Sequence, residues 1–480
     1  MGPPSAKDDY RGAGAHAKPR RINMNEQPNI LFVFADQLRG SSLGHVGQEP
    51  VVTPNLDRFA AQGVRFSRAV ANFPLCSPMR ASLITGQHPL QHGMLANDIM
   101  LREDVPCIAK SLSAAGYRTG YIGKWHLDGP DRTGFTPPGP RRQGFEYWAA
   151  NNCNHNYKVF YYYEDSPEPI WGEGYEPDAQ TDLALRYLAD AKTDPRPFCL
   201  FVSWEPPHCP YDQAPERFKA IYDPDSIPPR PNAVKPDMRT IADYYAHVTA
   251  LDWNFGRLLD GLDRHGLADS TLVVFTSDHG DMLWSQDRGW KCKPWAESVI
   301  VPFIARWPGH IPEGAVEDAP FGLVNTMPTL LAMCGVEIPP EVEGDALPHL
   351  LTQTNGVKPE STPIYLYMKA TNPSPEPWRG IVTKTHTYAR FKKEPWILYD
   401  DAADPYQMNN LVGDDKLRQS LEEQLDAWLA RMEDDFASDM VLAERYGITV
   451  DERGIPPYRY DQNVMREMWR RVRGERSATP

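Results

Sequence analysis

Apolar positions along this chain fall into two alternating rhythms. The run NILFVFA, starting at Asn29, is continuously apolar and rich in β-forming residues, the pattern of a strand covered on both faces of a parallel sheet. TPNLDRFAAQGV follows with a cap at Thr53, proline at the first helical position and a stopping glycine at Gly63. The same grammar returns in VPCIAKSLSAAGYRTGYIGKWHL, where Pro106 opens a helix, Gly116 closes it and a short strand follows. RPFCLFVSWEPPH reads as a third strand ending near His208, MRTIADYYAHVTALDWNFGRLLDGLDRHG as a long amphipathic helix, and TLVVFTSDHG as another buried strand. Strands alternating with helices predict an α/β fold. The last helix and strand read as a crossover unit that carries residues 278 to 281 to the carboxyl edge of the sheet, where open α/β sheets bind ligands.

Between about 129 and 180, and again between 210 and 235, proline and aromatic residues are frequent without a period, as in long loops that wall a pocket. Beyond about residue 355 the rhythm changes. STPIYLYM, WRGIVTKTHTYARF and PWILYD alternate as antiparallel strands do, and DDKLRQSLEEQLDAWLARMEDD carries the apolar stripe of a terminal helix. The expected organisation is a flexible leader over 1–28, a catalytic domain over 29–355 on a large, mostly parallel mixed sheet flanked by helices, and a smaller C-terminal subdomain and tail over 356–480. That subdomain combines an antiparallel sheet with a helix.

The 480 residues are 41% hydrophobic and 24% charged, a globular mixture with length enough for a large core. A net charge of -14 argues against a general nucleic-acid binder but leaves room for a local basic pocket. The leader lacks the apolar stretch of a signal peptide, no apolar run reaches membrane length, and the seven cysteines follow no disulfide spacing. A cytoplasmic protein with no membrane or nucleic-acid partner is therefore expected; nothing in the pattern assigns an oligomeric state.

Two apolar strands end in metal-ligand residue types, Asp36 and Gln37 in FVFADQ and Asp278 and His279 in VVFTSDHG. Oxygen donors favour a hard cation such as Ca²⁺ or Mg²⁺, and the imidazole admits Mn²⁺ or Zn²⁺. The same residues also serve as caps and polar strand exits. Cys76, in LCSPMRASLITG, stands at the mouth of a helix shortly before Arg80. A cysteine is most often a small buried hydrophobe, but here its neighbours are not a core run, and a helix N-terminus with an arginine favours the thiolate of a nucleophile. The cysteine-phosphatase loop, with a wider cysteine-to-arginine spacing and a glycine-rich cradle, does not match. GKWHL places Lys124 and His126 at alternate positions of an extended segment, hence on one face, which suits an oxyanion beside a cation. His208 in WEPPHCPY, and Lys291 and Lys293 in RGWKCKPWAES, are further candidates whose plainer readings are loop packing and solvated surface.

Taken in order, these segments resemble the sulfatase family of the alkaline phosphatase-like superfamily. CSPMRASLITG is similar to its Cys-x-Pro-x-Arg modification signature and GYRTGYIGKWHL to its second signature; the agreement runs from about residue 29 to 412, ending in PWILYDDAADPYQMNNL. The resemblance implies an alkaline phosphatase-like fold and hydrolysis of an O-sulfate ester on a carbohydrate or a small aryl or alkyl alcohol, with release of inorganic sulfate. It implies that a formylglycine-generating enzyme oxidises Cys76 to formylglycine (3-oxoalanine), whose hydrated aldehyde is the nucleophile. One divalent cation, by family usage Ca²⁺, is implied at Asp36, Gln37, residue 76, Asp278 and His279. Many members carry Asp and Asn where this chain has Gln37 and His279, which keeps Mn²⁺, Mg²⁺ and Zn²⁺ open.

By the same resemblance Arg80 and the cation hold the attacking hydroxyl, Asp278 takes its proton, Lys124 and Lys291 neutralise sulfate oxygens, and His208 protonates the departing oxygen. His126 removes the second hydroxyl proton, expelling sulfate. Asn97 resembles an asparagine near the anion, against a plainer reading as a loop cap, and Lys291 is preferred to Lys293 by its spacing from Glu297. Phosphonate monoester and phosphodiester hydrolases, similar in ADQLR and SDHG, are the nearest alternative; Lys124 weighs against them. A non-catalytic anion-binding protein on the same scaffold, with Cys76 unmodified, is an alternative of another class. The aromatics of YWAANNCNHNYKVFYYYEDSPEP can pack against a sugar or aryl ring or equally against each other, and YMKATNPSPEPWRG can lend a wall from the second domain; neither names the leaving alcohol.

Overall fold

The computed structural model describes residues 27–369 and 375–475. All but the end of the expected leader over 1–28, and the middle of YMKATNPSPEPWRG, therefore lie outside the described residues. Eight strands build the central sheet: β1 (Asn29–Asp36), β2 (Val64–Phe66), β3 (Arg118–Lys124), β4 (Tyr147–Asn151), β5 (Phe198–Pro207), β6 (Thr271–Ser277), β7 (Phe303–Arg306) and β8 (Ala315–Glu317). Their order across the sheet is β8-β2-β7-β6-β1-β5-β3-β4. β6, β1, β5, β3 and β4 run parallel, and β7 is antiparallel to both its neighbours.

The continuous apolar run of β1 has a direct cause. Ile30, Phe32 and Phe34 enter the core on one face, Leu31, Val33 and Ala35 the core on the other, and all six are buried. Helix α2 (Cys76–Thr85) covers the first face, while α1 (Pro54–Ala61), α3 (Glu176–Ala191) and α4 (Met238–His265) cover the second. The chain passes from β5 through α4 to β6, the expected crossover, with β1 lying between the two strands.

Local grammar is corrected in four places. Thr53 stands at the cap position of α1, but its hydroxyl donates to Asp57 at 2.9 Å; the free N–H groups of Asn55 and Leu56 go instead to the Asp252 carboxylate of α4, at 3.3 and 2.7 Å. Gly63 is not needed for a left-handed stop, since a Cβ there would be driven into the Ala305 carbonyl of β7. Pro106 precedes a helix that begins only at Ile108, with Cys107 at its cap position. The segment 129–180, read as loop, holds β4, a hairpin of Val159–Tyr162 with Ile170–Glu173, and the start of α3. These strands are short and set among Asn, Gly and Pro, so no period accumulates along them.

Four antiparallel strands follow: β9 (Ser361–Leu366), β10 (Trp378–Thr383), β11 (His386–Arg390) and β12 (Pro395–Asp400), in sequential order. Helix α5 (Asp415–Arg431) buries Leu421, Leu425 and Leu429 against them. Val70, Phe73, Leu75 and Leu95 join the same apolar cluster, which welds this sheet to the base of α2. A last helix, α6 (Gln462–Val472), lies near the C-terminus. Among the described residues no helix is long and apolar enough to cross a membrane.

Candidate active site

The carboxyl ends of four parallel strands meet the N-terminus of α2. Asp36 ends β1 with Gln37 next to it, Lys124 ends β3, His208 follows β5, and Asp278 and His279 follow β6. Cys76 is the first residue of α2, so the positive end of the helix points at its side chain. All ten residues of α2 are buried, Arg80 included.

Cys76 Sγ lies 3.3 Å from His279 Nε2, 3.6 Å from Asp36 Oδ1 and 3.0 Å from Lys291 Nζ. Lys124 Nζ reaches Asp36 Oδ2 at 2.8 Å. Arg80 ties the floor together: it donates to Asp278 Oδ2 at 2.8 Å, Asp36 Oδ2 at 3.1 Å, the Lys124 carbonyl at 2.8 Å and the Ser203 hydroxyl at 2.8 Å. Lys293 turns away, its Nζ on the Gly289 carbonyl at 2.9 Å, so the geometry places Lys291 at the site. Asn97 Oδ1 accepts the Ser77 N–H at 2.9 Å, the capping contact at the first turn of α2.

Lys124 and His126 both reach the site, but not through strand alternation. β3 ends at Lys124, and His126 adopts φ 56°, in the left-handed region. Gln37 does the same at φ 71° beyond β1. Non-glycine residues held there cost about 1–3 kcal/mol each and persist where surrounding structure dictates them.

Burial opposes every charge here, and the partners decide each outcome. Burial raises Asp36, but Lys124 and Lys291 reverse this and hold its carboxyl well below the usual range. Asp278 ends on the other side: burial and the neighbouring Asp36 outweigh His279 and Arg80. For Cys76, burial and Asp36 favour the thiol, yet Lys291, Lys124 and His279 bring it well below its ordinary value. His126 is raised against burial by Cys153 and by Asp98, whose Oδ1 is 3.4 Å from its Nε2. Burial and Lys291 keep His208 low; its Nδ1 donates to the Cys209 carbonyl at 2.7 Å.

A family model described as Sulfatase matches residues 28–336. The chain belongs to the sulfatase family. A second model, N-sulphoglucosamine sulphohydrolase C-terminal, matches 287–435. An ulvan-active sulfatase of Formosa agariphila is 40% identical over 92% of this chain and 88% of its own length. An endo-4-O-sulfatase of Bacteroides thetaiotaomicron is 29% identical over 91% of this chain and 98% of that protein. A solved structure described with the metabolism of multiple glycosaminoglycans by the same organism superposes with TM-score 0.79 at 31% identity, covering 88% of this chain and all of that one. The protein is accordingly a sulfate-ester hydrolase with the alkaline phosphatase-like fold.

The donor set of this sulfatase suits a divalent cation. Asp36, Cys76, Asp278 and His279 each offer a ligand atom, all buried and within 4.8 Å of one another. Gln37 Oε1 is buried without a hydrogen-bond partner, while its Nε2 is held by Asp281 at 2.6 Å and Tyr211 at 3.3 Å. An orphaned amide oxygen costs about 1–3 kcal/mol and two facing carboxylates repel; a cation relieves both.

Sequence reading missed the residues that hold these groups in place. Asp281 orients Gln37, Ser203 shares Arg80, Asp98 anchors His126, and Cys153, paired with His155, favours the charged form of His126. Only Asp281 carried a signal, the second acid of SDHGD; the others lie in loops or inside an apolar strand.

Proposed function

We propose that this sulfatase removes O-sulfate groups from saccharides, with residue 76 acting as formylglycine after oxidation by a formylglycine-generating enzyme. The observation that carries it is the convergence of two buried lysines on Cys76 and Asp36: Lys291 Nζ at 3.0 Å from the sulfur and Lys124 Nζ at 2.8 Å from the carboxylate. A packed apolar core does not hold such cations; an anionic ester seated between them uses both. The saccharide is supported by the relatives named for ulvan and for 4-O-sulfate, and by a neighbouring structure described in complex with D-glucosamine-2-N,6-O-disulfate.

A divalent cation, Ca²⁺ by donor hardness with Mg²⁺, Mn²⁺ or Zn²⁺ as alternatives, would be held by Asp36, Gln37, residue 76, Asp278 and His279 and would supply positive field to the ester oxygens and the attacking group. The chain's own side chains do the rest. Arg80 ties Asp278 and Asp36 together by hydrogen bonds, and Asp278, its pKa raised by burial, is suited to take a proton at its carboxylate. Lys124 and Lys291 neutralise the sulfate oxygens. His208, at the end of β5, is the donor to the departing oxygen, and His126, oriented by Asp98, serves as the second base. Asn97, capping α2, braces the residue that attacks.

The test is co-production with a formylglycine-generating enzyme, intact mass to follow conversion of Cys76, and turnover of matched sulfate, phosphodiester and phosphonate esters. Conversion together with preferential sulfate release is the expected result, and Cys76→Ala is expected to lose turnover while remaining folded. Full sulfate-ester turnover by Cys76→Ala would sink the assignment. Preference for the phosphonate would move the protein to the second reading, whose known members share the fold at TM-score 0.69 and 22% identity.

A further inference from the structure

The last part of the chain lies past both family segments, which end at residues 336 and 435, yet it doubles back onto the catalytic half. Arg132 N donates to the Arg459 carbonyl at 3.0 Å, Arg459 N to the Pro130 carbonyl at 3.1 Å, and Asp461 N to Thr133 Oγ1 at 2.6 Å. The Arg132 guanidinium lies 3.7 Å from the centre of the Tyr458 ring, and it grips Asp98, the anchor of His126, through two bonds of 2.7 Å. Asp461 then caps α6.

Between α6 and the loop after β4 lies a cavity of about 410 Å³ whose lining includes Cys153, His155, Asn156, Tyr161, Tyr460 and Trp469. Its inner wall borders the active site. Cys153 Sγ is 3.1 Å from His155 Nε2, and the His155 ring is 4.8 Å from that of His208. A second, independent feature points to a ligand: the Tyr161 hydroxyl is buried with no hydrogen-bond partner, on a residue 1% exposed. Trp469, about half exposed at 49%, offers an aromatic face to solvent at the same cavity. Aromatic faces beside hydroxyl and amide groups match a pyranose ring, apolar on its C–H faces and polar around its rim.

We propose that this cavity is the subsite for a sugar ring on the alcohol side of the ester, with Trp469 and Tyr460 as its stacking faces and the Tyr161 hydroxyl as its buried hydrogen-bonding group. The inference rests on the reading of the chain as a saccharide sulfatase and adds to it a specificity element, α6, supplied by the end of the chain. The enzyme, matured and metal-loaded, is compared with Trp469→Ala and Tyr161→Phe on methyl sulfate, whose leaving alcohol carries no ring to fill the cavity, and on whichever of ulvan oligosaccharides or sulfated glycosaminoglycan disaccharides it cleaves fastest. Trp469→Ala is expected to raise the saccharide KM roughly 10-fold or more, as loss of an aromatic anchor does. Tyr161→Phe is expected to raise it about 3- to 10-fold, the worth of one neutral hydrogen bond. In both variants kcat, and all kinetics on methyl sulfate, stay within about twofold, since no group at Cys76 changes. Unchanged saccharide KM, or equal losses on both substrates, would overturn the subsite. Wild-type turnover of methyl sulfate with none of the saccharides overturns it too while sparing the chemistry at residue 76; no turnover of any sulfate ester by fully converted enzyme overturns both.

Discussion

Asp36 faces Lys124 at 2.8 Å, Arg80 at 3.1 Å and Lys291 at 3.9 Å, more positive charge than one carboxylate neutralises. In the function proposed above, an anionic substrate takes up this surplus. Lys124→Ala is therefore expected to lower kcat/KM on 4-nitrophenyl sulfate by about 10²–10³-fold, the usual effect of deleting one donor to a developing charge. Arg80 still pairs with Asp36 in that variant, so thermal melts should show a folded protein; activity within a few-fold of wild type would remove Lys124 from the anion site.

Glu49 shows the same logic away from the chemistry. Burial raises it, but Arg39 at 2.7 Å and Arg230 at 2.7 Å, with the Ser41 and Ser42 hydroxyls, bring it from 4.5 to about 2. The sign follows: this stabilisation is complete above pH 4.5 and is lost as pH falls toward 2. One pKa unit is 1.36 kcal/mol, so the contribution is about 3 kcal/mol. Glu49→Gln should be less stable than wild type in urea melts at pH 7, with the gap narrowing at pH 3; a gap independent of pH refutes the linkage.

At the scale of elements, Gly123 shows how a strand aims its last residue. Its φ is 98°, and a Cβ would be driven into the Ser203 carbonyl of β5 while crowding Gln180 of α3. Only glycine lets β3 approach β5 so closely just before Lys124. Gly123→Ala is expected to cost about 2–5 kcal/mol from left-handed strain and overpacking together, and to displace Lys124, so that activity falls further than the melting temperature alone explains. A variant with wild-type stability and kinetics would contradict both the strain and the aiming.

Legibility differs among elements for a physical reason. β1, β5 and β6 were readable because strands buried on both faces are continuously apolar, and their polar exits stand out. β4 was not, because five residues among loop formers carry no period. Asp36, Asp278 and His279 were visible as strand exits and Cys76 and Arg80 through their motif. Asp98, Ser203 and Cys153 were invisible, since their roles depend on partners tens or hundreds of positions away.

Across the whole molecule, the C-terminal sheet and the catalytic half share one apolar cluster and several polar ties. His88 Nδ1 meets the Tyr365 hydroxyl at 2.7 Å, Asn72 donates to the Pro363 carbonyl at 2.7 Å, and Arg68 meets Asp401 at 2.6 Å. Scanning calorimetry at pH 7 should accordingly give a single cooperative transition; two resolved transitions would show that the sheet melts independently. Burial lowers His88 and His92 from 6.5 to about 3, so the junction keeps its full stability above pH 6.5 and weakens as pH falls toward 3, with the melting temperature declining over that window.

Sequence alone determined the strands buried on both faces, the long helices and the chemistry-bearing residues at their ends, because periodicity, strand exits and a contiguous motif are local properties of the chain; β4 and the hairpin over 159–173, too short to carry a period, were left to the fold. Folding decided which ends meet. It gave the N-terminus of α1 its cap from Asp252, held His126 itself in the left-handed region and brought α6 back beside His155. Those outcomes depend on loop paths and close approaches between distant segments, and no local pattern of residues encodes such contacts.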